Sequence, residues 1–277
     1  MADIGPILVT GAAGQLGAVG RTVSELLLKR GLPVRALVRR EDDRAQALRD
    51  AGAEVVVGDL LDPADVYRAV SGTRRVYFGM SVSPGYLEAT VTMAAVAREV
   101  GIDALVNMSQ MTVSEMDIHN TTPSRQQRQH WLGEQALLWS GLPVVTVRPT
   151  IFLDTFLTLS STSVRERGRI ELPFGRGKTN PVAASDVAEV VATILADPTP
   201  HLGRVYELTG PLSQDLNGMA AEFSEALNRK VAYVDVAPEA FEAALKGLPE
   251  HVAQHVVTMG ELHRAGRYDR WRTAWRK

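Results

Sequence analysis

The chain has 277 residues, no cysteine, and 30 basic against 32 acidic side chains, for a formal charge of -2. The missing cysteines exclude disulfides, thiolate nucleophiles and cysteine-ligated metal centres, and the balanced charge leaves no field of one sign to recruit nucleic acid or an acidic membrane. No run approaches the ~18 consecutive apolar residues of a membrane span, and the first residues lack the basic-then-apolar layout of a signal peptide. A cytoplasmic protein is therefore expected.

In chain order, residues 7–10 form a short apolar strand that ends at Gly11, and residues 23–30 an amphipathic helix stopped by Gly31. Residues 34–38 read as a strand, 44–51 as a helix stopped by Gly52, and 54–57 as a third strand. Asp62 then caps a helix with Pro63 in its first position. A strand at 75–78, a helix at 86–100, a strand at 104–108, a helix at 124–140 and a strand at 143–147 complete the regular part. Short continuous apolar strands alternating with helices predict an α/β Rossmann fold, a doubly wound parallel sheet covered on both faces. Past Pro149 the regularity breaks, and residues 155–181 read as irregular chain. A helix at 185–195, a strand at 205–209, and helices at 213–228 and 238–246 flanking a strand at 231–236 follow. The expected layout is a Rossmann domain over residues 1–154, with 182–198 packing back onto it. A smaller α+β lobe, made of 155–181 and 199–277, closes over the ligand.

Thr10-Gly11-Ala12-Ala13-Gly14-Gln15-Leu16-Gly17 has the spacing G-x-x-G-x-x-G between a predicted strand and a predicted helix. A pyrophosphate must approach backbone N–H groups at a helix N-terminus, where side chains would block it. Gly17, or Gly20 after it, lets the helix pack against the sheet. A dinucleotide site is expected here, against the blander reading of a ligand-free turn. The second predicted strand ends in Arg39 and Arg40, with Glu41 only afterwards. Arginines there suit a 2′-phosphate, so NADP(H) is favoured over NAD(H), the alternative being solvated surface arginines. Asp59, before Leu60, either accepts the adenine amino proton or is a turn residue.

The Thr-Gly-Ala-x-Gly-x-x-Gly turn, Val38-Arg39 and Gly58-Asp59-Leu60 resemble the atypical short-chain dehydrogenase/reductases. Four later segments, Glu134 to Pro143, Val147 to Phe152, Ser185-Asp186-Val187-Ala188 and Tyr206 to Pro211, resemble the NmrA-like NAD(P)-binding group within them. The resemblance implies that Gly79-Met80-Ser81 and Met108-Ser109 flank the ribose and nicotinamide. Pro149 and Ile151 would lie near the ring, and Met80, Met108, Ile151 and Phe152 would line the substrate pocket. Short-chain dehydrogenases usually carry Tyr-x-x-x-Lys; here Gln126 stands for the tyrosine and His130 for the lysine. His130 is the candidate to bond the ribose or serve as an acid near neutral pH, or it faces the cleft without chemistry. Relatives often continue past the position of Lys277, which implies a C-terminal lobe that is trimmed or incomplete.

Other constellations are discounted. His251 and His255, one helical turn apart, have no intervening glutamate and read as a solvated helix face, so no metal is expected. Ser109 lacks a nucleophile elbow. The basic, aromatic run from His263 to Arg272 reads as a helix end or subunit contact. The resulting expectation is an NADP(H)-dependent oxidoreductase that moves hydride between nicotinamide and a small organic, quinone-like acceptor. The alternative is a non-catalytic NADP(H) sensor acting through a regulatory protein partner. A homodimer fits either, and no nucleic-acid or membrane partner is expected.

Overall fold

The computed structural model describes residues 5–14 and 18–270; Gln15, Leu16 and Gly17 of the expected cofactor turn, and the residues after Arg270, lie outside them. The strands are β1 (Ile7–Val9), β2 (Val34–Val38), β3 (Glu54–Val57), β4 (Arg75–Phe78), β5 (Ala104–Met108), β6 (Val144–Pro149), β7 (Arg169–Leu172), β8 (Val205–Leu208) and β9 (Ala232–Asp235). Seven of them form one sheet in the order β3-β2-β1-β4-β5-β6-β8, while β7 and β9 pair separately. Every pairing in both sheets is parallel. The helices are α1 (Val19–Lys29), α2 (Asp43–Asp50), α3 (Pro63–Val70), α4 (Tyr86–Val100), α5 (Arg125–Trp139), α6 (Leu153–Arg167), α7 (Ala184–Ala196), α8 (Leu216–Ala226), α9 (Pro238–Ala244) and α10 (Glu250–Arg264).

Successive strand residues point to opposite faces, and the core divides accordingly. Ile7, Val9, Val38 and Val147 pack with Val23 and Leu27 of α1 and Val187 and Val191 of α7. Leu8, Val76, Phe78 and Leu105 pack on the other face with Val66 of α3 and Tyr86 and Met93 of α4. A third cluster, including Phe156, Ile170, Leu172, Phe174, Met219 and Phe241, holds the smaller lobe together.

Two expectations change. The stretch read as irregular contains α6 and β7. Its Ser/Thr content hid a helix whose buried face is Phe156, Ser160, Ser163 and Val164. The hydroxyls are satisfied within the helix, Ser160 on Phe156 O at 2.5 Å and Ser163 on Ser160 O at 3.0 Å. The strand near 205, expected in the smaller lobe, is instead the seventh strand of the main sheet, paired with β6.

Gly20, one of the two glycines left open for packing the first helix against the sheet, stands at the start of that helix. α1 begins at Val19, after Ala18 in the left-handed region at φ 43. A Cβ on Gly20 would lie 2.8 Å from Thr10 O and from the carbonyl of Gly11. Gly20 is therefore the glycine that lets α1 seat on the end of β1, and the spacing it completes is G-x-x-G followed, six residues on, by glycine.

In the smaller lobe His263 is fully buried between Phe174 and Tyr268, with ring centroids 4.1 and 3.9 Å away and nearly coplanar. Its Nδ1–H donates to Met259 O at 2.8 Å, and Nε2 has no partner. Burial pushes its pKa down from 6.5 to about 3, partly offset by that bond. Between those values the unfolded chain binds a proton that the folded chain refuses, so stability falls as pH drops from about 6.5 toward 3. Equilibrium unfolding of His263→Phe between about pH 6 and pH 4.5 is expected to show a pH slope shallower by about 1 kcal/mol per unit, with stability near neutrality retained. An unchanged slope would show that His263 is protonated in the folded chain. Gly20→Ala is expected to cost about 1–3 kcal/mol in urea unfolding, because backbone rather than a movable side chain opposes the new methyl.

Candidate functional site

The chain leaves β1 toward β2 and β3, then returns to β4 on the opposite side, so a crevice opens beyond the ends of β1 and β4. Thr10, fully buried, pins its floor. Its hydroxyl donates to Gly79 O at 2.8 Å and accepts from Gly79 N–H at 2.9 Å. A Cβ on Gly79 would meet the Tyr77 hydroxyl at 2.6 Å, so glycine is required where β4 ends. On the β1 side Gly14 N–H donates to Gly11 O at 3.0 Å, closing the turn that leads toward α1. Crevice, glycine turn and the start of α1 lie together at this end of the sheet.

At the end of β2, Arg39 pairs with Asp59 at 3.2 Å, and Arg40 is exposed. Sequence reading missed Arg44, whose guanidinium donates to Ala13 O of the glycine turn at 3.0 Å and pairs with Asp42 at 2.5 Å. Asp42 caps α2 through the backbone N–H groups of Arg44 and Ala45, and that cap fixes Arg44 on the first turn facing the crevice. The spacing of Asp42 before a helical run was the available signal. Arg44 holds the Asp42 carboxyl below its usual range. Asp59 is a turn residue here: its Oδ1 accepts from Leu61 N–H at 3.0 Å and its Oδ2 from Arg39. Leu60 packs with Leu61 and Met80 on the α3/α4 side.

At the other end of the crevice Ser109 follows β5, almost fully buried, its N–H on Val147 O at 2.8 Å. Its hydroxyl donates to Glu134 of α5. Arg148 of β6 grips the same carboxylate through Nε at 3.0 Å and its terminal nitrogen at 2.5 Å, and lies 3.7 Å from Glu207. The serine proton is thus committed inward, and its oxygen lone pairs are left to accept from a ligand.

His130 does not fit the expected neutral-pH acid. Its ring lies against Tyr86 with centroids 3.9 Å apart and planes tilted by 44°, its Nδ1 is buried without a partner, and its Nε2 faces the Gln126 amide nitrogen at 3.4 Å. Burial, with a smaller contribution from His255, pushes its pKa down to about 3, so the ring is neutral. Tyr86 in turn donates to Met108 O at 3.2 Å, which ties the ring to the end of β5. Pro149 ends β6, and Thr150 beyond it is fixed to Asn180 O at 2.8 Å and Leu208 O at 2.9 Å. Ser81 is exposed after β4. The residues implied for the substrate pocket share the strand ends but pack apart: Met80 on the α3/α4 side, Met108 and Phe152 on the α1/α7 side, and Ile151 in the smaller lobe.

A cleft of about 240 Å³ opens beside His130, lined by Ser83, Ser124, Arg125, Gln126, Gln129, Glu250, His251, Gln254 and His255 among others. His251 and His255, read from sequence as a solvated helix face, instead face this cleft from α10. Another hollow of about 290 Å³, around Pro173, Phe241 and Arg264, lies within the smaller lobe away from the strand ends. The basic run after His263 folds back on its own chain. Arg267 and Arg270 pair with Glu115, and the Tyr268 hydroxyl accepts from Gln127 of α5 at 3.0 Å. Among the described residues no three histidines or carboxylates gather as a metal-ligand set, and no helix is long and apolar enough to cross a membrane.

Known proteins are similar to this chain in sequence and fold. The chain is 30% identical over 261 residues to an NAD(P)H azoreductase of Xenophilus azovorans, covering 93% of this chain and 86% of that protein. It is 33% identical over 261 residues to a (4-alkanoyl-5-oxo-2,5-dihydrofuran-3-yl)methyl phosphate reductase of Streptomyces griseus, covering 94% and 88%. The crystal structure of an NADPH-dependent quinone oxidoreductase from Escherichia coli in complex with NADPH superposes with a TM-score of 0.82 at 26% identity, over 95% of this chain and 90% of that one. The NmrA-like family pattern matches residues 5–271, and the chain belongs to that family.

Proposed function

We propose that this NADP(H)-dependent oxidoreductase passes hydride to a small organic acceptor of quinone type. The observation that carries the reading is the crevice at the β1/β4 split, pinned by Thr10 and Gly79, with arginines at one end and the Ser109–Glu134–Arg148 chain at the other. The residues present fit the cofactor. The glycine turn and the start of α1 receive the pyrophosphate. Arg39, Arg40 and Arg44 receive the 2′-phosphate. Ser109, with Gly79 to Ser81 and Pro149 to Ile151, borders the ribose and nicotinamide. When bound, the nicotinamide supplies the hydride. His130, neutral and packed against Tyr86, shapes the wall between α4 and α5. No side chain is poised there as an acid, so the acceptor's protons come from solvent through the cleft, which suits a quinone-like acceptor. The names of the relatives, reductases of differing acceptors, support the same class of chemistry. The reading includes a cytoplasmic setting and a homodimer as the assembly.

The direct test follows NADPH absorbance with a panel of quinones and other conjugated acceptors, beside calorimetric titration of the cofactor. Steady oxidation is expected; tight binding with no oxidation across the panel would favour the sensor instead. Arg44→Ser is expected to raise the KM for NADPH about tenfold while changing that for NADH less than about twofold, the signature of a lost charge-assisted phosphate contact. Equal effects on the two cofactors would assign Arg44 to the turn alone.

A further inference from the structure

The cleft between α5 and α10 carries a definite hydrogen-bonding pattern, because most of its polar atoms have their partners fixed by the fold. The Ser124 oxygen caps α5 by accepting from Gln127 N–H at 3.3 Å. The same hydroxyl lies 3.3 Å from His255 Nδ1. When it donates there, the neutral His255 ring carries its hydrogen on Nε2, a donor at the cleft wall. Burial pushes the His255 pKa down to about 4, which keeps the ring neutral at pH 7.

Gln126 is fixed in the same way. Its Oε1 accepts from Ser83 N–H at 3.2 Å, so its amide nitrogen is the end that faces His130 Nε2 at 3.4 Å, with a second N–H to spare. Gln129 is about nine-tenths buried, and its amide nitrogen donates to Pro84 O at 2.7 Å. That bond leaves its Oε1 as a buried acceptor without a donor. An acceptor left in that state costs about 1–3 kcal/mol until something donates to it. Arg125 and Glu250 contribute one charge of each sign at the rim, so the cleft has no preference for an ionic ligand. At about 240 Å³ it is also smaller than the ~300–1,000 Å³ sites that take drug-sized molecules.

We propose that this cleft is the acceptor site, and that it selects uncharged one- or two-ring acceptors bearing a hydroxyl beside a carbonyl. The carbonyl oxygen takes the N–H groups of His255 and Gln126. The neighbouring hydroxyl donates to Gln129 Oε1, and the side chain must give up its bond to Pro84 O to turn that buried oxygen toward the cleft. The proposal rests on the oxidoreductase reading and adds the substrate class. It shifts the recognition of the acceptor from the apolar residues at the strand ends to the polar wall formed by α5 and α10. A purely alkylated quinone satisfies the two donors and leaves Gln129 unpaired, which makes it the poorer substrate.

The experiment compares 1,4-naphthoquinone with its derivative carrying one hydroxyl on the benzenoid ring beside a carbonyl, a phenol that stays uncharged at neutral pH, using NADPH oxidation by the full chain. The kcat/KM ratio is expected to favour the hydroxylated compound by about tenfold, and Gln129→Met to bring that ratio close to one. His255→Phe, which leaves the Gln129 acceptor in place, is expected to weaken both compounds and preserve most of the ratio. Calorimetric titration with the corresponding dihydroxynaphthalene gives a readout free of turnover, and its affinity should fall about tenfold in Gln129→Met. A wild-type ratio near one, or a ratio that survives Gln129→Met, overturns the assignment of this cleft. Absence of NADPH oxidation with every acceptor, together with retained dihydroxynaphthalene binding, would instead sink the oxidoreductase reading and leave the cleft's ligand class standing.

Discussion

The Thr10 hydroxyl is where the architecture and the site meet. A parallel sheet that reverses its winding direction must part the loops after two neighbouring strands, and the gap between those loops is where a ligand fits. Left to itself such a gap exposes unpaired backbone at the strand ends. Thr10 closes it from below by both donating to and accepting from the backbone of Gly79. This double bond holds β1 and β4 in register just where their chains diverge. Tyr77 occupies the volume beside Gly79, so β4 has no alternative way to end. Gly20 fixes the remaining degree of freedom, the distance of α1 from the strand. The crevice is then a rigid consequence of the core beneath it, and the groups around it vary without disturbing the floor.

The electrostatics of the two ends differ in kind. Arg39 and Arg44 after β2 are exposed or half exposed and paired with carboxylates at the surface, and in the proposed site they exchange those partners for a phosphate. Such pairs contribute little to stability, so the exchange costs little. The Glu134–Arg148 pair is largely buried and bidentate. Breaking it would strand a charge in the interior, so it acts as a fixed support that orients Ser109. The site thus combines a replaceable cluster of charge at one end with a permanent one at the other.

Most of the fold was readable from the chain because its signals were local. The six strands through β6 were each a short apolar run, and helix stops such as Gly31, Gly52 and Gly141 stand where expected. The misses were places where local chemistry gave a misleading sign. The serines and threonines of α6 look like loop residues until the partner that buries Phe156 and Val164 is known. β8 has half-exposed residues and no alternation to mark which sheet it joins. The spacing of the glycines left Gly17 and Gly20 open as the contact between α1 and β1, and the close approach of Gly20 to Thr10 O is visible only in the fold. For the site, the glycine turn and Arg39 stood out because they follow a predicted strand. Arg44, Glu134 and the cleft-facing histidines of α10 did not, because their roles depend on elements distant in sequence. His130 was found by alignment to a motif, but its protonation state is set by its burial and, less, by His255, and neither is visible from its neighbours in the chain.

The neutrality of these histidines bears on the chemistry that the fold can support. An acid group near the nicotinamide is needed when hydride transfer leaves an alkoxide, a strong base that must be protonated as it forms. When the acceptor is conjugated, the negative charge spreads onto oxygen atoms that are stable for long enough to take a proton from water. Such an acceptor needs donors that hold its oxygens in place, without any group of tuned pKa. The cleft supplies these in His255 and Gln126, whose orientations are fixed by Ser124 and Ser83. In place of Tyr-x-x-x-Lys the chain carries Gln126 and His130, two neutral hydrogen-bonding groups in contact with each other. That replacement restricts the site to substrates that carry their own means of stabilising charge, and it accounts for a buried, uncharged histidine at the position where a lysine would otherwise stand.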